Sequence, residues 1–426
     1  MKELGQRLRK LRVEKGLTQR ELADPDFTAA YVSTIEAGKR HPSAKAVAHF
    51  ATKLGVATDE LATGRPPDVA VRLHAEFLDG RRALAAGDIE GAIKAFRHLK
   101  KKANDFDMPG VEARAEYGLG LCDEASNRLD AAIAHFETAE ATFSVEDLPA
   151  SADALAARGR CLMAIGEVRY AVYLVEKQLD VLRVQGLGDP DALVRLNTSL
   201  VAGYFQAGMD DLASRAAKTA LDLAQNVDDP ERLANMHINV ARLLLEQGAW
   251  EAAERHYIRA EAFYRQLDYR SDLGRVYLAR AYGLRMEGSL DPARVHALDA
   301  LEIFQETRNE TNEARALDQL GRIERATGRN QEARVYLRKA LQLTRDGEKV
   351  VHGAVQRELA LCDSDTDIAA AIRGVKKALV TLSDAEEMKE LAVTYRALGD
   401  LLLAESQFES ACDAFRTAAL TLEAAA

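Results

Sequence analysis

Apolar and polar positions in the first sixty residues follow a helical rhythm that is broken and restarted several times. Leu4, Leu8 and Leu11 mark one face of a helix over residues 1–14. Thr18 can accept a hydrogen bond from an amide one turn on, and Glu21 can return it, so a short second helix starts there and stops at Pro25. Thr28 can cap a third helix that runs to Glu36 and leaves through Gly38. In this helix Val32 and Ile35 face inward, whereas Thr28, Ala29, Ala30, Ser33 and Thr34 face outward. Such a slim face fits a DNA major groove. Ser43 caps a fourth helix over 44–54, and a fifth is short. Gly64-Arg65-Pro66-Pro67 then breaks the pattern, because two prolines remove amide donors and resist helix. The expected division is residues 1–64, a linker at 65–68, and a second unit over 69–426.

Beyond Val69 the rhythm becomes a repeat. A turn residue is followed five positions later by alanine at Gly87/Ala92, Asn127/Ala132, Gly166/Ala171, Gly208/Ala213, Gly248/Ala253, Gly288/Ala293 and Gly328/Ala333. Asp365/Ala370 and Ser406/Ala411 are weaker examples. A small residue recurs seven before the turn, as at Gly80, Gly120 and Gly399. An aromatic recurs nine after it, at Phe96, Phe136, Tyr257 and Phe415. Units of about forty residues, each with two helical stretches, predict about nine helical hairpins stacked side by side. Leu420, Leu422 and the alanine-rich tail are expected to close the array.

Charge sharpens this division. Residues 1–65 carry 12 Lys and Arg against 8 Asp and Glu, while the rest carry 45 against 59. A basic head on an acidic body points to nucleic acid at one end only. Cys122, Cys161, Cys362 and Cys412 are scattered and form no C-x-x-C pair, so reduced thiols are expected. The nine histidines lack ligand spacing, and there is no P-loop, dinucleotide fingerprint or H-E-x-x-H. No metal, no cofactor and no enzymatic activity are expected. With no apolar run near 18 residues and no signal-peptide pattern, a cytoplasmic protein without membrane contact is expected.

Residues 1–64 resemble the helix-turn-helix domain of the phage-repressor and Cro-like (XRE) regulators. The likeness is carried by Leu4, Leu8, Leu11 and Arg12, by Gly16-Leu17-Thr18-Gln19, Glu21-Leu22-Ala23, Ile35-Glu36, Gly38-Lys39-Arg40 and Pro42-Ser43, and by Leu54-Gly55-Val56. The turn Asp24-Pro25-Asp26-Phe27 is shorter than usual in that family and has no glycine. The resemblance implies a five-helix lambda-repressor-like domain in which Arg12 and Glu36 pair. Gln19, Lys39 and Arg40 would meet phosphate, and Thr28, Ala29, Ala30, Tyr31, Ser33 and Thr34 would lie at the operator. The repeats resemble a tetratricopeptide (TPR) array, which implies a right-handed superhelix and an all-α chain. Together, head and body resemble the RRNPP family of peptide-pheromone receptors, which implies quorum sensing.

Carried onto these repeats, the TPR register turns one set of residues into the concave groove: Arg160, Arg195, Asn235, Asn239, Arg242, Arg275, Tyr282, Gln319 and Arg322, and the RRNPP resemblance, in which groove Asn residues clamp a peptide backbone, adds Asn197. An Asn amide can pair with a peptide backbone in either direction, and Arg forks onto a carboxylate. A short peptide or small anionic ligand is therefore the expected occupant. The plainer reading is that these arginines pair with neighbouring carboxylates and hold the repeats together. The resulting expectation is a DNA-binding transcriptional regulator, bound as a homodimer to a double-stranded DNA operator and modulated by a ligand of the TPR body. The alternative is a scaffold that recruits a partner protein to DNA without a small ligand.

Overall fold

The computed structural model describes residues 2–144, 147–344, 349–385 and 388–425. Among them the chain is all-α, with no strand. The head contains α1 (Lys2–Glu14), α2 (Gln19–Ala23), α3 (Ala29–Glu36), α4 (Ala44–Leu54) and α5 (Thr58–Thr63). Leu8, Leu22, Val32, Ile35, Phe50, Leu54 and Leu61 form its core, so each of the five helices gives up at least one side chain to one centre.

Among the described residues nine antiparallel hairpins follow. They are α6 (Val69–Ala85) with α7 (Ile89–Asp105), α8 (Pro109–Ala125) with α9 (Leu129–Thr142), and α10 (Leu148–Ala164) with α11 (Val168–Gln185). Next come α12 (Pro190–Gln206) with α13 (Asp210–Leu223), α14 (Pro230–Glu246) with α15 (Trp250–Leu267), and α16 (Arg270–Glu287) with α17 (Leu290–Glu306). The last three are α18 (Glu310–Ala326) with α19 (Asn330–Leu343), α20 (Lys349–Leu361) with α21 (Ile368–Ser383), and α22 (Met388–Ala404) with α23 (Phe408–Ala425). Asp189 and Asp229 cap α12 and α14 by accepting from the Ala192 and Arg232 amides, and a proline opens each of these helices.

The repeat signals in the sequence have one geometric cause each. The turn residues occupy the left-handed region, with φ between 72° and 94° at Gly208 and Gly288 and 56° at Asn127, which reverses the chain without clash. The glycine seven before the turn and the aromatic nine after it are two halves of one contact. A methyl placed on Gly120 would lie 2.6 Å from the Phe136 ring, and one on Gly399 would lie 2.5 Å from Phe415. Removing the side chain from one helix lets a large ring from its mate fill the crevice.

Two expectations fail. Asp365 is not a left-handed turn: the eighth hairpin is joined by residues 362–367, with Asp367 capping α21 through the Ala370 amide at 2.8 Å. Leu420 and Leu422 are more than half exposed and bury no end face. The side chains of Ala424–Ala426 lie outside the described residues.

The superhelix also meets itself. Ala85, at the end of α6, is buried in the apolar cluster of α14–α17 with Leu245, Tyr269 and Leu273. A methyl on Gly87 would lie 2.0 Å from the carbonyl oxygen of Thr307, just beyond α17. The first hairpin therefore packs against the fifth and sixth.

Candidate DNA interface and ligand cavity

The head's recognition element is built by caps and one ion pair. Thr18 accepts from the Glu21 amide while the Glu21 carboxylate accepts from the Thr18 amide at 2.7 Å, a complete capping box at α2. Thr28 accepts from the Tyr31 amide and starts α3. Arg12 reaches from α1 to Glu36 at the end of α3, with contacts of 2.6 and 3.0 Å, and donates also to the Leu17 carbonyl at 2.8 Å. Gln19 donates to the same Glu36 carboxylate at 2.8 Å. Burial acts to raise the Glu36 pKa, but the Arg12 and Gln19 hydrogen bonds outweigh it and hold Glu36 below its ordinary value. Gly5 allows α1 to come this close, since a methyl there would lie 2.2 Å from the Ile35 carbonyl oxygen.

The glycine-free turn is filled by Phe27. Its ring stacks on Tyr31 at 5.3 Å and tilts against Phe50 at 5.5 Å. The Tyr31 ring in turn carries the Arg40 guanidinium at 4.9 Å, and its hydroxyl accepts from the Ser43 amide. Thr28, Ala30, Ser33, Lys39 and Arg40 are exposed, while Ala29, Tyr31 and Thr34 are half-buried. The Thr34 hydroxyl donates to the Tyr31 carbonyl at 2.8 Å. Of the sequence-selected residues, Gln19 is therefore engaged as a brace of α3.

Inside the superhelix, five of the ten groove residues share one cavity. Arg160 of α10, Arg195 of α12, and Asn235, Asn239 and Arg242 of α14 line a space of about 420 Å³. Lys389 of α22 reaches it from the last hairpin, with its ammonium 6.0 Å from the Phe205 ring. Arg160 forks onto Glu124 at 2.9 and 2.8 Å. Arg195 faces Asp153 at 3.2 Å, a carboxylate it shares with Arg232 at 2.9 Å. Among the described residues Arg242 and Lys389 form no ion pair. Arg195 Nε and Thr198 Oγ1 are buried and lack a hydrogen-bond partner. Asn235 donates to the Glu231 carbonyl at 3.0 Å and accepts from the Tyr264 hydroxyl at 3.1 Å. Asn239 donates to the Asn235 carbonyl at 2.9 Å.

The other five lie elsewhere. Asn197 donates to the Leu193 carbonyl at 2.8 Å, within α12. Arg275 pairs with Asp272. Tyr282 stacks beneath Arg285 at 5.3 Å, and Gln319 accepts from Arg285 at 3.0 Å. Arg322 pairs with Asp318 at 2.7 Å and Glu358 at 3.3 Å. Among the described residues no group of three or more His, Cys, Asp or Glu could hold a metal ion, and no helix is long and apolar enough to cross a membrane.

A structural link runs between this cavity and the first hairpin, next to the linker from the head. Glu231, one turn before Asn235, pairs with Arg81 of α6. Arg81 lies between the rings of Tyr117 at 5.9 Å and Tyr269 at 5.7 Å, and the Tyr269 hydroxyl donates to Glu231 at 3.3 Å. Burial would weaken the Arg81 cation, but Glu231 and the two phenols outweigh it and raise its pKa. Between α5 and α6, Arg65 donates to the Phe106 carbonyl at 2.7 Å.

Two stretches match described families: residues 3–63 a helix-turn-helix domain, and residues 272–346 a tetratricopeptide repeat. The chain is 41% identical over 63 residues to an uncharacterized HTH-type transcriptional regulator of Sinorhizobium fredii, y4dJ. That match spans 15% of this chain and 82% of the relative. Among solved structures, a Rap protein complexed with competence and sporulation factor superposes with a TM-score of 0.61 at 13% identity. It covers 83% of this chain and 98% of its own. The apo form of the quorum sensor NprR of Bacillus thuringiensis gives 0.56 at 15% identity, covering 83% and 100%. At these identities the likeness is one of fold. Its head places the chain among the HTH-type transcriptional regulators, a family to which it belongs with that domain joined to a Rap- and NprR-like superhelix of tetratricopeptide hairpins.

Proposed function

We propose that this regulator binds an operator as a homodimer and that its TPR body takes a short peptide or small anionic ligand that modulates DNA binding. Thr28, Ala29, Ala30, Tyr31, Ser33 and Thr34 then meet the major groove, and Lys39 and Arg40 meet phosphate. Residues 1–64 and 69–426 act as reader and sensor about the 65–68 linker. The observation that carries the ligand reading is the cavity between α10, α12, α14 and α22. Among the described residues two of its cations, Arg242 and Lys389, lack carboxylate partners, and the buried Thr198 hydroxyl has no hydrogen-bond partner. A buried polar group of this kind costs free energy until something pairs with it. An anionic ligand answers both needs. Because α14 carries Asn235, Asn239 and Glu231, a ligand that shifts this helix also acts on Arg81 and the first hairpin. The chain is expected to work in the cytoplasm, and the fold of Rap and NprR supports a quorum-sensing role.

A second reading, a scaffold that recruits a partner protein to DNA without a small ligand, is favoured by the internal pairing of Arg160, Arg275 and Arg322. Selection of bound DNA from random sequence, followed by gel shift with and without short peptides, decides between them. A palindromic operator whose occupancy changes with peptide supports the first reading. The effect should disappear in Arg242→Ala and Lys389→Ala. An operator indifferent to every ligand supports the scaffold. Lys39→Ala and Arg40→Ala should each weaken operator binding and flatten its salt dependence by about one unit of slope.

A further inference from the structure

The outward face of α11 differs from those of the other second helices within the array, short of the terminal α23. Tyr170, Tyr173, Val181 and Val184 are 44%, 53%, 37% and 84% exposed. By contrast α13, α15, α17, α19 and α21 each expose one large apolar side chain, Leu212, Ile258, Val295, Val335 and Val380 respectively, and only the terminal α23, with Phe408, Leu420 and Leu422, approaches α11 among the described residues. Tyr170, Tyr173, Lys177, Asp180 and Val184 are spaced 3, 4, 3 and 4 apart, the interval of a helix seam that meets another helix. Tyr170 and Tyr173 stack at 6.4 Å and hold both rings on this face. Two charges sit at the centre of the seam. Lys177 forms no ion pair among the described residues. Among the described residues Asp180 pairs only with Arg183 at 2.8 Å, where both side chains are mostly exposed and the bond is worth little.

We propose that this face is the homodimer interface and that two copies of α11 pair antiparallel across a twofold axis between residues 178 and 179. In that register Lys177 faces the partner's Asp180 and Tyr173 faces the partner's Val184, and symmetry makes each pairing twice. The charge pattern selects the second copy as occupant. A cation and an anion three residues apart on one helix, left unpaired with each other, each meet an opposite charge when that helix is reversed against its own image. A slipped register would place Lys177 against Tyr173 and leave Asp180 unmatched. Glu176 is drawn to the flank by the Tyr204 hydroxyl, so it does not enter the seam.

The proposal deepens only the homodimer element of the reading above. Sedimentation velocity of the full chain, without DNA or ligand, tests it, so a negative result leaves the ligand cavity standing. The chain should be a dimer at tens of micromolar. Val184→Asp, Lys177→Asp and Asp180→Lys should each weaken dimerisation by roughly 100-fold or more, because each places like or unpaired charges in the seam twice. The combined variant K177D/D180K restores opposite charges and should dimerise again. Far-ultraviolet dichroism should be unchanged throughout, since all these positions are exposed in one copy. A monomeric parent, a single variant that still dimerises, or a charge-swapped double variant that remains monomeric would each overturn the interface.

Discussion

Neutralising the cross-superhelix ion pair should loosen the first hairpin by a calculable amount. In Glu231→Gln the side chain keeps its length but loses its charge, leaving Arg81 between two phenol rings with no counter-ion. Breaking a fully buried pair from one side costs about 3–5 kcal/mol. Here Arg81 is 14% and Glu231 30% exposed, so water recovers part of the loss, and about 2 kcal/mol is the expected cost. The assay is hydrogen exchange of the α6 amides, because a solenoid opens locally and one global unfolding energy is poorly defined for it. A cost of about 2 kcal/mol corresponds to roughly 30-fold faster exchange if α6 opens by releasing this contact. Arg81→Met should give a similar increase, and the double variant should be no worse than the more damaging single one, because neither charge is then stranded. Unchanged α6 exchange, or two single effects that simply add, would refute the argument that the pair holds the first hairpin to the fifth.

Other outcomes follow from single contacts. Glu36→Ala strands the donors of Arg12 and Gln19 and should cost about 2–3 kcal/mol in the head. Operator affinity in gel shift should fall at least roughly tenfold, and unaltered affinity would separate the bridge from the placement of α3. Gly120→Ala drives a methyl into the Phe136 ring and should cost roughly 1–3 kcal/mol in urea denaturation, with much of the loss recovered by adding Phe136→Leu. His237 has its pKa pushed down to about 4, first by burial and then by His256 and Arg259. Unfolded, it titrates near ~6.5, so between these values the unfolded chain holds more protons and stability falls as pH falls. At pH ~5 the loss from this group is about 2 kcal/mol, and His237→Phe should flatten the fall in melting temperature between neutral and acid buffer.

The hairpins were legible because each signal is local. A glycine, or a residue such as Asn127 that tolerates it, stands where φ is positive, and a glycine stands where Phe136 enters, so similar letters return at the same spacing. The capping box and the Arg12–Glu36 pair were legible for the same reason: a cap acts within one turn, and the pair joins positions the resembling family already relates. The cavity was half legible. Register along one helix finds Asn235, Asn239 and Arg242, which differ by 3 and 4 residues on α14. It cannot find Lys389, which meets Phe205 only because the superhelix brings the ninth hairpin to the fourth. Nor does register say which arginines are already spent, since Glu124 satisfies Arg160 from a neighbouring hairpin. Nor does it find the partner of Arg81, which lies 150 residues away.

An array of hairpins is ordinarily a line, where each unit knows only its neighbours and fraying at an end stays there. The contact between α6 and α14 bends this line into a loop fastened to itself. Closing such a loop costs only slowly more entropy as it lengthens, yet it makes the first hairpin answerable to the state of the fifth. Melting or removing any unit between them unfastens the loop, so these hairpins should fold and fail together.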